Sequence, residues 1–188
     1  MKRPALFLDR DGVINEDLPY VYRVENFRFV DGIFSLVLAA QQAGYRIVVV
    51  TNQAGIGRGL YTEDDFWTLT KWMVDQFTQY GCQIDGVYFC PTHPEHGVGS
   101  YRVESVFRKP GPGMLLQAAD ELEIDLAGSM LVGDKPSDIQ AGLAAGVGTN
   151  ILLTKSSDGV VQGCIAVDDI RAVICYLRST NMDDHGQS

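Results

Sequence analysis

The chain has 188 residues, 46% of them hydrophobic, enough for one well-buried core and too few for two full domains. Its 24 acidic and 15 basic residues give a formal charge of −9, which opposes general attraction to nucleic acid or an anionic membrane and favours a small-molecule partner. Cys82, Cys90, Cys164 and Cys175 form no close pair and sit in or beside apolar runs, and the N-terminal apolar run is too short for a signal segment or membrane span, so the expected setting is reducing cytoplasm without disulfides.

The first element is the apolar run ALFL at 5–8, read as a buried strand. Asp31 is placed to cap the following helix, which carries Ile33, Phe34, Leu36, Val37, Leu38 and Ala40, and Gly44 stands where a C-terminal glycine would. A second strand is read at IVVV, 47–50. Thr62 with Asp65 makes a capping-box pattern, and Phe66, Leu69, Met73 and Phe77 follow at helical spacing as core. A third strand at VYF, 87–89, precedes a helix after Lys109-Pro110 with Met114, Leu115, Ala118, Ala119 and Leu122 turned inward. MLV at 130–132, a helix from Pro136 to near Gly146, ILL at 151–153 and a helix opened by Asp168 and Asp169 complete the pattern. Strands alternating with crossover helices predict an α/β fold, a doubly wound, Rossmann-like parallel sheet in a single domain over residues 1–188. The polar tail from Ser179 lacks apolar periodicity and is expected to fray.

Residues 13–30 and 90–108 exceed an ordinary connection. Long ordered loops in compact domains tend to be functional, and open parallel sheets bind ligands beyond the carboxyl ends of their strands, where both loops lie.

The stretch ALFLDRDGVINED drives two carboxylates, Asp9 and Asp11, into one small volume. Such a pair repels itself and resists desolvation, so a cation and a phosphate are the natural company for it. Gly12 lets the chain turn at once. Thr51, Asn52 and Gln53 end the second strand, and the AGIGRG that follows offers backbone donors suited to phosphate oxygens. Arg108 and Lys109 arrive just before Pro110, and the fourth strand ends in Gly133-Asp134-Lys135 with Asp138 following. Each of these has an ordinary explanation taken alone: a solvated loop for the first acids, a turn for Thr51 and Asn52, a surface cation for Lys109, a helix cap for Asp134. Together, at consecutive strand ends, they fit phosphoryl transfer. Asp9 and Asp134 can hold magnesium, Asp9 can attack phosphorus in line, and Lys109 and Thr51 can stabilise charge on the equatorial oxygens. Asp11 would protonate the leaving oxygen and later take a proton from the attacking water.

LDRDGVIN, VVVTNQAGIGRG, FRKPGPGM and LVGDKPSD, in this order, resemble the four motifs of the haloacid-dehalogenase-like phosphatase superfamily, over about Ala5 to Leu153. Through DGVINED, TNQAGIGRG, YFCPTHPE and RKPGPGM the chain is more closely similar to the D-glycero-D-manno-heptose 1,7-bisphosphate 7-phosphatases, with histidinol-phosphate phosphatases as relatives. The resemblance implies that Asp9 is the nucleophile and Asp11 the acid/base, and that magnesium sits on Asp9, Asp134 and the backbone carbonyl of Asp11. It makes Arg10, Asn52, Gln53, Arg108 and Lys135 phosphate or substrate contacts beside Thr51 and Lys109, and it places Asp17 and Tyr20 on the sugar. The implied partner is a small phosphorylated sugar, the implied cofactor magnesium, and the implied form a cytoplasmic monomer that binds neither nucleic acid nor membrane. No insertion is large enough for a separate cap domain, so loops should cover the site.

Members of this group often hold the second loop with zinc on a Cys-x-His and a Cys-x-Cys. Here those positions are Cys90, Thr92, Ser105 and Phe107, which keep one ligand, and His93 and His96 do not rebuild the set, so no zinc is expected. Histidinol phosphate is the alternative substrate. A phospho-acceptor module that does not hydrolyse is the reading from another class, and Asp11 opposes it, because an acid/base beside the nucleophile speeds loss of the phosphoryl group.

Overall fold

The computed structural model describes residues 2–156 and 161–177, so the tail from Ser179 lies outside the described residues. Six strands, β1 (Ala5–Leu8), β2 (Arg46–Asn52), β3 (Gly86–Cys90), β4 (Met130–Gly133), β5 (Thr149–Leu153) and β6 (Ile165–Val167), form one parallel sheet in the order β3-β2-β1-β4-β5-β6. The α-helices are α1 (Ile33–Gln42), α2 (Ala54–Gly57), α3 (Glu63–Gln79), α4 (Gly113–Glu121) and α5 (Pro136–Ala145).

The inner strands read as unbroken apolar runs because both faces of the sheet are covered. Leu6, Leu8, Ile47 and Val49 pack with α1 and α3 on one face, whereas Ala5, Phe7, Val48 and Val50 pack with α4 and α5 on the other. The period of two along each strand thus feeds two cores at once. Phe66, Leu69, Met73 and Phe77 are all buried, as their spacing predicts. Thr62 caps α3 as expected: its hydroxyl accepts the Asp65 N–H at 3.0 Å while Asp65 Oδ2 accepts the Thr62 N–H at 2.8 Å, a device that contributes about 1 kcal/mol. Pro136 opens α5, and Gly146 closes it at φ +82°, a left-handed conformation that glycine adopts without penalty.

Four details differ from expectation. Asp31 does not cap α1; Gly32 holds that place at φ +95°, and the Asp31 carboxylate is taken by Arg171 at 2.6 Å. The final helix is a 3-10 segment over Ile170–Tyr176 rather than an α-helix, consistent with its β-branched Ile170, Val173 and Ile174. Asp169 does open it, accepting the Arg171 N–H at 2.8 Å. The short, half-exposed β6 is too brief to show an apolar run, and Leu38 and Cys175 are exposed rather than packed.

Strand order reverses between β1 and β4, which pair directly with Leu8 opposite Val132. That switch point opens a crevice at the carboxyl edge of the sheet, the usual ligand position of open α/β folds. Asp9 and Asp134 are the residues that leave the sheet there.

Candidate active site

Asp9 follows the last residue of β1, and its N–H still bonds the Val132 carbonyl oxygen at 3.0 Å, so its carboxylate is aimed by the sheet itself. Lys109 reaches it from the loop before α4. The Lys109 ammonium donates to Asp138 Oδ1 at 2.7 Å, to Asp9 Oδ1 at 2.9 Å and to the Val50 carbonyl oxygen at 2.9 Å. These contacts use all three of its protons. Asn52 fixes the backbone behind that side chain, accepting the Lys109 N–H and donating to the Lys109 carbonyl oxygen, both at 3.0 Å. Asp9 Oδ1 also accepts the Arg10 N–H at 2.8 Å, whereas its Oδ2 has no hydrogen-bond partner among the described residues.

Crowding sets the electrostatics. Burial pushes Asp9 up to about 7, with Asp138 and Asp134 adding to the rise and Lys109 opposing it. Burial alone would pull Lys109 down, but Asp9 and Asp138 outweigh it and hold the ammonium above its ordinary range. The two shifts pull in opposite senses, since the rise of Lys109 requires an ionised Asp9. Above its raised value Asp9 is ionised and the 2.9 Å contact with the buried ammonium is an ion pair; below it the carboxyl is protonated and the contact is a hydrogen bond.

Asp9, Asp134 and Asp138 each offer one ligand atom, and these atoms lie within 4.8 Å of one another. Asp134 Oδ1 is buried without a hydrogen-bond partner. Burial pushes Asp134 up to about 6, Asp138 and Asp17 adding to the rise and Lys135 and Lys109 opposing it. A Cβ at Gly12 would stand 2.2 Å from Asp134 Oδ2, so only glycine lets this carboxylate lie against the first loop. Three carboxylates with an orphaned oxygen and no soft donor are the ligand set of a hard divalent cation, and they fit magnesium.

The Asp11 side chain stands apart from that trio. Arg10 Nη2 donates to both of its oxygens at 3.0 Å, Asn15 Nδ2 donates to it at 3.1 Å, and Gln53 Nε2 donates at 3.0 Å. Arg10 is itself buried and donates to the Val21 carbonyl oxygen at 2.8 Å. Gln53 Nε2 also donates to Thr51 Oγ1 at 2.8 Å, and Gln53 Oε1 accepts from the Tyr61 hydroxyl at 2.6 Å. Thr51 therefore receives a bond from Gln53 and keeps its own proton free. Arg10, Asn52 and Gln53, expected as substrate contacts, do reach the cleft, but their polar ends chiefly hold Asp11, Lys109 and Thr51 in place.

A cleft of about 380 Å³ lies over this floor, lined among others by Asp17, Leu18, Tyr20, Gly55, Tyr61 and Lys135. Asp17 pairs with Lys135 at 3.1 Å, and Arg58 donates to the Tyr20 hydroxyl. Arg108 lies to one side, against a neighbouring cavity of about 390 Å³, and donates to the Thr92 carbonyl oxygen at 3.2 Å. AGIGRG lies on the substrate side, but most of the backbone donors expected of it are used within the fold. Most of it is the short helix α2, and the N–H groups of Ile56, Gly57, Arg58 and Gly59 bond to Gln53, Pro91, Ala54 and Ile56 carbonyl oxygens. Only its first two residues, Ala54 and Gly55, line the cleft. In the second loop Cys90 Sγ lies 3.3 Å from Thr92 Oγ1, Ser105 Oγ accepts the Phe107 N–H, and His93 Nδ1 accepts the N–H groups of Glu95 and His96.

Asp138, which carries no role in the sequence reading, also stands at the centre of this cluster. It is buried, bonds Lys109 and accepts the Lys135 N–H at 3.0 Å. Its signal was present: it lies four residues after Asp134, on the first turn of a helix that begins at the strand edge. Asn15, four residues after Asp11, was likewise not assigned.

Comparison with known proteins places this geometry. Residues 106–160 match the family model described as "HAD-hyrolase-like". The chain is 63% identical over 185 residues to a D-glycero-alpha-D-manno-heptose-1,7-bisphosphate 7-phosphatase of Burkholderia mallei, covering 97% of this chain and 98% of that protein. It is 49% identical over 181 residues to the D-glycero-beta-D-manno-heptose-1,7-bisphosphate 7-phosphatase of Vibrio cholerae, covering 94% and 97%. Among solved structures, the D,D-heptose 1,7-bisphosphate phosphatase of B. bronchiseptica, complexed with magnesium and phosphate, superposes with a TM-score of 0.80 at 30% identity, covering 93% of this chain and 97% of that one. The chain belongs to the HAD-like phosphatases, in the family of heptose-1,7-bisphosphate 7-phosphatases.

Proposed function

We propose that the protein is a magnesium-dependent phosphomonoesterase that removes the 7-phosphate of D-glycero-D-manno-heptose 1,7-bisphosphate through an aspartyl-phosphate on Asp9, with the α-anomer as its preferred substrate. The observation that carries the reading is the buried Lys109 ammonium, 2.9 Å from the Asp9 carboxylate at the sheet's switch point. The α preference rests on 63% identity to the relative named for the α-anomer, against 49% to the one named for the β-anomer.

Asp9 Oδ1 is held by Arg10 N–H and Lys109, which leaves Oδ2 to carry the attacking pair. Attack on phosphorus forms the P–O bond to Asp9 while the P–O bond to the sugar breaks, and Asp11 gives the departing oxygen its proton. Water then attacks the same phosphorus, Asp11 takes a proton from it, and the carboxylate of Asp9 is released with inorganic phosphate. The free proton of Thr51 and the Lys109 ammonium, which exchanges one of its three contacts for a phosphoryl oxygen, bind the equatorial oxygens as charge accumulates on them. Asp9, Asp134 and Asp138 would hold the magnesium, which when bound supplies positive charge to phosphoryl oxygens and offsets the crowding of the carboxylates. Arg10 and Gln53 keep Asp11 aimed, and Asn52 keeps Lys109 aimed, so that proton and charge are in place before the substrate arrives. Lys135 and Asp17, paired at 3.1 Å, lie where sugar hydroxyls would meet them.

The test is phosphate release, with magnesium present, from the α- and β-1,7-bisphosphates of the heptose and from histidinol phosphate. Turnover should be fastest on the α-bisphosphate. Faster turnover of histidinol phosphate would replace the sugar reading, and a phosphorylated protein that persists for minutes without turnover would replace the enzyme reading.

A further inference from the structure

Arg58 has no carboxylate partner among the described residues. Its guanidinium donates to the Tyr20 hydroxyl and lies over the Tyr20 ring, 5.6 Å from the centroid. Arg108 is in the same condition, its contact being the Thr92 carbonyl oxygen at 3.2 Å. Both guanidinium groups stand near His93, whose imidazole is held below its usual range first by burial, then by Arg108, His96 and Arg58, with Glu95 opposing. The cations that line the cleft itself are neutralised: Arg10 on Asp11, Lys109 on Asp9 and Asp138, Lys135 on Asp17 and Asp134. In a chain of formal charge −9, two guanidinium groups without a carboxylate partner thus lie where the Tyr20 wall meets the second loop.

The arrangement is built into the backbone. Tyr20 sits at φ +52°, a left-handed conformation that a residue with a side chain keeps only where its surroundings impose it. A Cβ at Gly55 would lie 2.9 Å from Tyr20 Cδ1, so the absence of a side chain there makes room for the ring that carries Arg58. A guanidinium matched to neutral oxygens retains its charge and spare N–H donors for an anion, and its planar fork suits a phosphate.

Resting on the bisphosphate reading above, we propose that Arg58 is a specificity-determining residue that binds the phosphate left uncleaved, so that the site distinguishes a sugar bisphosphate from the corresponding monophosphate. With one phosphate at Asp9, the sugar spans the cleft and directs the other outward along the Tyr20 wall to Arg58.

The experiment compares kcat and KM of wild type, R58A, R58K and Y20F on heptose 1,7-bisphosphate and on heptose 7-phosphate. R58A should lose about tenfold or more in kcat/KM on the bisphosphate, chiefly through KM, and less than about twofold on the monophosphate. R58K, which keeps the charge without the fork, should fall between wild type and R58A on the bisphosphate. Equal losses of R58A on both substrates, or a Y20F variant that reproduces the R58A pattern in full, would reduce Arg58 to a prop for Tyr20 and overturn the proposal. A wild-type protein that releases no phosphate from the bisphosphate would overturn the proposed function and this inference together, whereas normal wild-type turnover without a substrate-selective R58A defect overturns the inference alone.

Discussion

On the floor of the cleft Lys109 meets two carboxylates and a carbonyl oxygen, whereas on the rim Arg58 and Arg108 meet only neutral oxygens. The floor is buried and its ammonium is matched on every proton, so that group is fixed before any substrate arrives. On the rim Arg58 is exposed and Arg108 half-buried, and neither meets a carboxylate. Matched, buried charge suits a step that must stabilise a transition state without reorganisation, while unmatched, solvated charge suits selection among substrates. On the proposed roles, chemistry and choice are separated by depth.

The sharpest way to break the comparison is to remove the nucleophile from the floor. D9N should lower kcat by roughly 10⁴-fold or more, while the amide oxygen still accepts from Arg10 and Lys109. Because the change also relieves repulsion from Asp134 and Asp138, the magnesium-free variant should melt no lower than wild type. Steady-state kinetics with scanning calorimetry checks both; a variant with wild-type turnover would remove Asp9 from the chemistry.

A smaller effect is expected from K109M. Losing the ammonium should cost about 10²–10³ in kcat, the range for removing one group aimed at developing charge. It also leaves Asp9 and Asp138 buried without their shared cation, a loss on the order of 3–5 kcal/mol in urea unfolding without magnesium. An unchanged unfolding midpoint would mean that the floor is not held together by this pair, and the contrast with the rim would fail.

The two regions also differed in how far they could be read from sequence. Asp9, Thr51 and Asp134 were legible because each follows or ends an apolar run, so strand direction alone brings them to one edge. Asp138 was not assigned because its partner Lys109 comes from a distant loop and no local pattern announces the contact. Asn52 and Gln53 were legible as polar groups facing the site but not as positioning groups, since their partners, Lys109 and Asp11, are fixed only by the tertiary arrangement. AGIGRG was legible as a substrate-side stretch, but the number of its free backbone donors was not, because glycine serves two purposes. Here a Cβ at Gly57 would stand 2.4 Å from the Pro91 carbonyl oxygen, so glycine permits close packing against the second loop and not an open phosphate cradle. The 3-10 segment at Ile170–Tyr176 and the short β6 lay below the length at which periodicity is informative.

The mildest test leaves the sequence intact and changes pH. In the metal-free protein Asp9 is pushed up to about 7 and Asp134 up to about 6, in both cases by burial first. A carboxyl whose folded pKa lies above its unfolded value favours the fold when protonated. Its contribution is complete below the ordinary carboxyl value and is lost as pH rises through the folded one. These two groups therefore make the metal-free fold less stable between about pH 4 and pH 7. Magnesium binds the ionised forms, so it must displace protons at pH 5 and has none to displace at pH 8. At a magnesium concentration about a hundred times Kd, the Tm should rise by roughly 5–10 °C at pH 8 and by much less at pH 5. In D9N the difference between the two pH values should shrink, because the group with the larger shift no longer titrates. Equal magnesium-induced shifts at pH 5 and pH 8 in the wild-type protein would show that the floor carboxylates are ionised throughout, held so by Lys109 alone, and that the cation adds to a charge balance already complete.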